Sequence, residues 1–157
     1  MSHNLDTSTG KPAMAYAGQK PYHGLGEQLK QGQPIDDWVK AAGLDWEIQM
    51  LPVRYLIGGH DLLMPERFVL ARSDTHQALS IVSDDYMPVQ PRKVLEFYRD
   101  LVERRHYTLE TAGALNGGRK VWALAKTGLV ADVGSEAADK LGAYVLLANS
   151  ADCRMVA

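Results

Sequence analysis

The stretch TLETAGALNGGRKVWALAK, residues 108–126, decides the fold. Asn116-Gly117-Gly118 at its centre is a strong short hairpin signal, because these residues accept the positive φ of a tight turn. Thr108 to Leu115 and Arg119 to Lys126 are therefore read as paired strands, and Gly113 as the site of a bulge. With a period of two, Lys120, Trp122, Leu124 and Lys126 fall on one face of the second strand. An indole flanked by two ammonium groups has the make-up of a base-stacking platform with backbone-tracking cations. The plainer alternative puts Trp122 and Leu124 in the core and lets the lysines snorkel outward from the strand ends.

On the N-terminal side lies the clearest helix, from Pro91 to about Arg105, with Val94, Tyr98, Leu101 and Val102 as its apolar stripe and Leu95 and Phe97 widening it. Arg92/Glu96, Arg99/Glu103 and Asp100/Arg104 sit four apart on its outer side, and Arg104 and Arg105 complement the C-terminal end of the helix dipole. Further back, Phe68 to Arg72 and Ala78 to Val82 read as a hairpin, and Gly58-Gly59-His60-Asp61 as a turn. Trp46, Ile48 and Met50 share a strand face, and Pro52 argues against a central strand there. Pro34 opens a short helix carrying Ile35, Trp38, Val39 and Ala42, which Gly43 stops. Residues 1–33, rich in glycine and proline, read as an extended arm. Beyond the central hairpin, residues 129–142 read as a loop with a short helix beginning near Ser135, and Ala143 to Ala148 as a buried strand. The expected fold is α+β: a largely antiparallel sheet with one long central helix, a short N-terminal helix and an extended N-terminal arm, the arm being 1–33 and the single domain 34–157.

Composition narrows the function classes. The chain has 157 residues, 46% hydrophobic and 23% charged, enough for a real core. One cysteine, Cys153, excludes a disulfide framework or a multi-thiolate metal site within one chain. No apolar run approaches a membrane span, and Met1 to Gly10 lacks a secretory signal's apolar core, so a soluble cytoplasmic protein without membrane contact is expected. The net charge of −2 hides a basic middle: residues 91–126 hold eight Lys and Arg against four Asp and Glu. Such a segment can steer an anionic partner, although a pI near 6.2 argues against bulk duplex binding.

Catalytic signatures are weak. His3, His23, His60, His76 and His106 show no metal-ligand spacing, no G-x-S-x-G elbow is present, and Gly24-Leu25-Gly26 lacks the context of a phosphate loop. No cofactor and no metal are expected. His23, between Tyr22 and Gly24, is the best catalytic candidate, since a titratable side chain on a glycine-flanked loop can be held near a cleft.

Tyr16-Ala17-Gly18, Pro21-Tyr22-His23-Gly24-Leu25-Gly26, Ala41-Ala42-Gly43-Leu44-Asp45-Trp46, Phe68 to Thr75, Tyr86-Met87-Pro88-Val89-Gln90, Glu110 to Leu115, Gly118 to Ala125 and Leu146-Leu147-Ala148-Asn149-Ser150 follow one another in an order that resembles the phage/plasmid-like proteins, the family catalogued as domain of unknown function 932. The chain looks like the N-terminal portion of a longer family domain. The resemblance implies DNA-related work on mobile elements and, by loose architectural analogy, single-strand annealing. Asp84 and Asp85 stand where the family commonly has basic residues, and His76 replaces its usual turn glycine.

The combined expectation is a non-catalytic mobile-element protein that binds single-stranded DNA as a homo-oligomer. Lys120, Trp122 and Lys126 would stack and track the strand, with Arg119, Arg104 and Arg105 adding phosphate contacts. Two alternatives stand beside it: a protein-interaction or regulatory module whose exposed final strand accepts another chain, and a hydrolase using His23.

Overall fold

A computed structural model describes residues 4–105, 107–132 and 140–151. Strands account for 49% of the described residues and helices for 16%, so the expected α+β arrangement around one long central helix is corrected to a mostly β molecule with, among those residues, two sheets and two helices. The larger sheet has five strands in the order β2-β1-β6-β7-β8: Glu27–Leu29, Met14–Ala17, Thr108–Leu115, Lys120–Asp132 and Lys140–Ser150. The smaller has three, β3-β4-β5: Ile48–Ile57, His60–Arg72 and Ala78–Ser83. Every pairing is antiparallel except β1 with β2.

The extended arm is the second correction. Met14–Ala17 is fully buried and lies between β2 and β6, an interior position in the larger sheet. Ala13, Ala15 and Ala17 join the core, where small side chains let the helices approach, while Met14 and Tyr16 fall on the opposite face. Helix α1, Ile35–Ala41, buries Ile35, Trp38 and Val39, with Asp36 and Asp37 in its first turn and Lys40 in its last, as the dipole favours. Helix α2, Pro91–Arg105, lies over the inner face of β6, β7 and β8 and buries Val94, Leu95 and Tyr98. The Tyr98 hydroxyl reaches the carbonyls of Ala123 (2.9 Å) and Val145 (3.0 Å), pinning the helix to two strands at once. Phe97, which the sequence placed in the apolar stripe, is 53% exposed.

The bulge expected at Gly113 falls instead at Glu110, where the register between β6 and β7 shifts between Leu109 and Thr111. Gly113 is regularly paired, opposite Trp122. The β8 strand, read as buried, is an edge strand in which Tyr144 is 52% and Leu146 63% exposed. The helix expected near Ser135 lies outside the described residues. Pro52 sits on β3, an edge strand, which tolerates its missing N–H.

One buried ion pair network ties the sheets together. The Arg72 guanidinium takes both oxygens of Asp74 (2.8 and 2.7 Å), the Asp6 carboxylate and the Gly117 carbonyl (3.2 Å), and stacks 4.2 Å from the centre of the Trp46 ring. Gly118, at φ +89°, is required where it stands: a Cβ there would meet Trp46 at 2.7 Å and the Arg72 guanidinium at 2.8 Å. At the base of β3, the Gln90 side chain accepts from the Ile48 N–H (2.7 Å) and donates to the Ile48 carbonyl (3.1 Å), holding the smaller sheet to the start of α2. Among the described residues, no helix is long and apolar enough to cross a membrane.

Candidate nucleic-acid interface

Alternation along β7 builds the site. Val121, Ala123 and Ala125 point into the core beneath α2, so Lys120, Trp122, Leu124 and Lys126 occupy the outer face, each half-buried. Cross-strand register then adds the neighbours. On β6, Leu115, Gly113, Thr111 and Thr108 stand opposite them; on β8, Ser150, Ala148, Leu146 and Tyr144 do. The open part of the face carries Trp122, Leu124, Leu146 and Tyr144, with a lysine at each end about 20 Å apart at ~3.3 Å per residue. It closes at β1, where Met14 and Tyr16 are buried.

Trp122 is neither packed against Tyr98 nor standing free. Its indole lies along β6: a Cβ on Gly113 would fall 2.4 Å from Cη2, and Nε1 points to the Thr111 hydroxyl at 3.5 Å. The missing side chain at Gly113 is therefore the recess that seats the ring. The other two indoles, Trp38 and Trp46, are buried in the core at 2% and 4% exposure. At the far end, the Tyr144 ring and the Lys126 stem both come near Gly142, within 4 Å of where its Cβ would be.

The cations divide into two groups. On the helix side, Arg92 pairs with Asp36 and Glu96, Lys93 with Glu96, and Arg99 approaches Asp36 at 3.9 Å. The Lys93 ammonium and then the Arg92 guanidinium hold the Glu96 carboxyl below its usual range. These three cations share two carboxylates, and their helix lies across the sheet from Trp122. On the outer face and its rim, Arg119, Lys120 and Lys126 form no ion pair among the described residues. Within residues 108–126, Glu110, at the bulge, is the one acidic residue.

Of the residues expected to act together, the fold brings Lys120, Trp122 and Lys126 onto one face, with Arg119 exposed at the turn that leads into it. Arg104 and Arg105 close α2, on the inner side of the sheet, and their side chains lie outside the described ones. Tyr144 and Leu146 were missed. His23 lies on a surface turn in which its Nδ1 accepts the Leu25 N–H (3.1 Å) and its ring meets Tyr22 edge-on at 5.1 Å. His60 is at a hairpin tip, and Asp61 is engaged by Arg54. A cleft of about 510 Å³ beside Lys11, Gly26, Lys40 and Asp74 mixes both charge signs and is lined neither by His23 nor by any residue expected to bind nucleic acid.

No curated protein and no solved structure matches the chain. The sequence model of the family described as domain of unknown function (DUF932) matches residues 78–156, which take in β5, α2 and the whole β6-β7-β8 platform. With half of its length matched, and with the platform inside the match, the chain belongs to the DUF932 family.

Proposed function

We propose that this chain binds single-stranded DNA across the outer face of its larger sheet, as a non-catalytic protein of a mobile element engaged in recombination or annealing. One observation carries the reading: two lysines that form no ion pair among the described residues bracket a half-buried indole on an open sheet face, while Arg92, Lys93 and Arg99 of α2 face Asp36 and Glu96 on the other side. Every base has a π-face, so Trp122 and Tyr144 can stack bases without reading sequence, and Lys120, Lys126 and Arg119 can follow the phosphates. Leu124 and Leu146 between them offer apolar contact to sugar and base edges. A net charge of −2 favours this local, aromatic mode over duplex binding through a broad basic surface.

The test is a titration of labelled oligo-dT against the chain over a range of salt. Each phosphate neutralised on a single strand contributes roughly −0.7 to the slope of log K against log salt, so Lys120→Ala with Lys126→Ala should flatten the slope by about 1.4. An unchanged slope in the double variant, or binding to duplex as tight as to single strands, overturns the reading.

A further inference from the structure

The segment joining β1 to β2, residues 18–26, carries the Pro21-Tyr22-His23-Gly24-Leu25-Gly26 motif and no Asp or Glu. Its path follows from the topology. β1 and β2 are parallel neighbours, with Ala15 opposite Glu27 and Ala17 opposite Leu29, so the segment must pass over one face of the sheet to return. The inner face of β1 is occupied: Ala13, Ala15 and Ala17 join Trp38 and Val39 of α1 in the core. Handedness agrees. Ala13, whose side chain faces the core, gives its carbonyl to the Ala114 N–H of β6 (2.9 Å). For L-residues this puts β2 to the left of an upward β1 when the helices face the viewer. A right-handed crossover to a left-hand neighbour runs behind the sheet, over its outer face. Met14 and Tyr16, on that face, are buried at 6% and 4% exposure.

The crossover therefore stands on the same side of the sheet as Trp122, and next to it. Met14 and Tyr16 pair with Gly113 and Thr111 of β6, the residues along which the indole lies. β1 and β7 are two strand spacings apart, about 10 Å. Within the crossover, the Gly24 N–H donates to the Pro21 carbonyl (2.9 Å) and closes a turn. That turn carries Tyr22, at 92% the most exposed large apolar side chain among the described residues. The His23 ring meets Tyr22 edge-on and is itself fixed by the Leu25 N–H. Lys20 folds across the turn, its Nζ 3.8 Å from where a Gly24 Cβ would stand, and forms no ion pair among the described residues.

We propose that this crossover is a raised wall of the single-strand site, in which Tyr22 stacks a base and Lys20 holds a phosphate. The inference rests on the proposed binding of single-stranded DNA at Trp122. A strand following β7 has open sheet on its β8 side and the crossover on its β1 side, so a base that leaves the platform meets Tyr22 while its neighbour stays on Trp122. A tyrosine has only two χ angles to fix, and the turn and His23 already hold its backbone, so stacking there loses little conformational freedom. The charge is also right. The crossover has no carboxylate to repel phosphate, and Glu27, which follows it, pairs with Ala15 and so turns to the inner side.

Anisotropy of labelled oligo-dT with the full chain tests this. Tyr22→Ala should weaken binding about 5- to 150-fold, the range for one stacked base, and Tyr22→Phe, which keeps the ring, should bind as wild type does. Lys20→Ala should flatten the salt slope by about 0.7. Both side chains are exposed, so circular dichroism and the urea midpoint should not change in these variants. In Tyr22→Ala, Trp122 emission should still be quenched at saturating oligo-dT, which assigns the loss to the wall and not the platform. Without any substitution, oligo-dT carrying a photoreactive thiothymidine should cross-link to a peptide containing Tyr22. Binding that weakens in Trp122→Ala but stays at wild-type strength in Tyr22→Ala and Lys20→Ala overturns the wall and leaves the platform standing. Tyr22→Phe as weak as Tyr22→Ala overturns the stacking role. A wild-type chain that binds no single strands overturns the wall and the proposed function together.

Discussion

Arg72→Met would unfasten the joint between the two sheets while keeping a side chain of similar length. The guanidinium and the Asp6 carboxylate are almost completely buried, at 1% and 2% side-chain exposure. The substitution leaves Asp6 a buried charge whose remaining partners are the Ser8 hydroxyl and N–H. It also releases Asp74, the Gly117 carbonyl and the Trp46 face. Removing one partner of a buried pair costs about 3–5 kcal/mol, against a total domain stability of about 5–15 kcal/mol. For a domain of this size, that lowers the unfolding midpoint by roughly 6–20 °C. Asp6→Asn should be milder, at about 1.5–3 kcal/mol, because Arg72 keeps its bidentate partner Asp74. In the double variant the stranded charge is gone, so the loss should be smaller than the sum of the two single losses. Urea unfolding of the four proteins reads all of this. Arg72→Met within about 1 kcal/mol of wild type, or strict additivity in the double variant, would refute the argument that Asp6 depends on the guanidinium.

The same network sets an acid limit. Burial would raise the Asp6 carboxyl, but Ser8 and Arg72 outweigh it and hold it below its usual range, and the Arg72 guanidinium does the same for Asp74. Carboxyls that titrate lower when folded add stability that is fully present above the unfolded value of about 3.9 and is lost as pH falls through it toward the folded values. Urea midpoints should therefore be level near neutrality and drop below about pH 4, with a shallower drop in Asp74→Asn. Gly113→Ala should cost about 1–3 kcal/mol by overpacking, because its Cβ would lie 2.4 Å from both the Ala13 carbonyl oxygen and the Trp122 ring. Chemical denaturation measures the loss, and a red-shifted tryptophan emission should report the ring lifted off the sheet.

How much of this was legible depended on how local each signal was. The β6–β7 turn and helix α2 carry their instructions in consecutive residues, and both form where the sequence placed them. The face shared by Lys120, Trp122 and Lys126 follows from strand period alone. Strand β1 was hidden because four residues set among glycines and prolines carry no periodic signal of their own; Ala15 pairs with Ala112, far along the chain. Apolar runs misled in the opposite direction. Ala143 to Ala148 is apolar on both faces, which reads as burial, and pattern cannot say which face a fold leaves uncovered. For that reason Tyr144 and Leu146 were not seen as part of the site. Gly113 suggested a bulge, whereas its purpose is steric and depends on a tryptophan across the strand. The pairing of the α2 cations was half visible: Glu96 lies four residues from Arg92, but Asp36 arrives from α1.

The central claim is that Trp122 meets bases on the outer sheet face, and tryptophan emission during an oligo-dT titration tests it most directly. Trp38 and Trp46 are buried, so quenching on binding should come from Trp122 and vanish in Trp122→Phe, while Trp122→Ala should weaken binding about 5- to 150-fold, the equivalent of ~1–3 kcal/mol per stacked base. Equal quenching in wild type and Trp122→Phe, undiminished affinity in Trp122→Ala, or no binding of single strands at low salt would contradict the account.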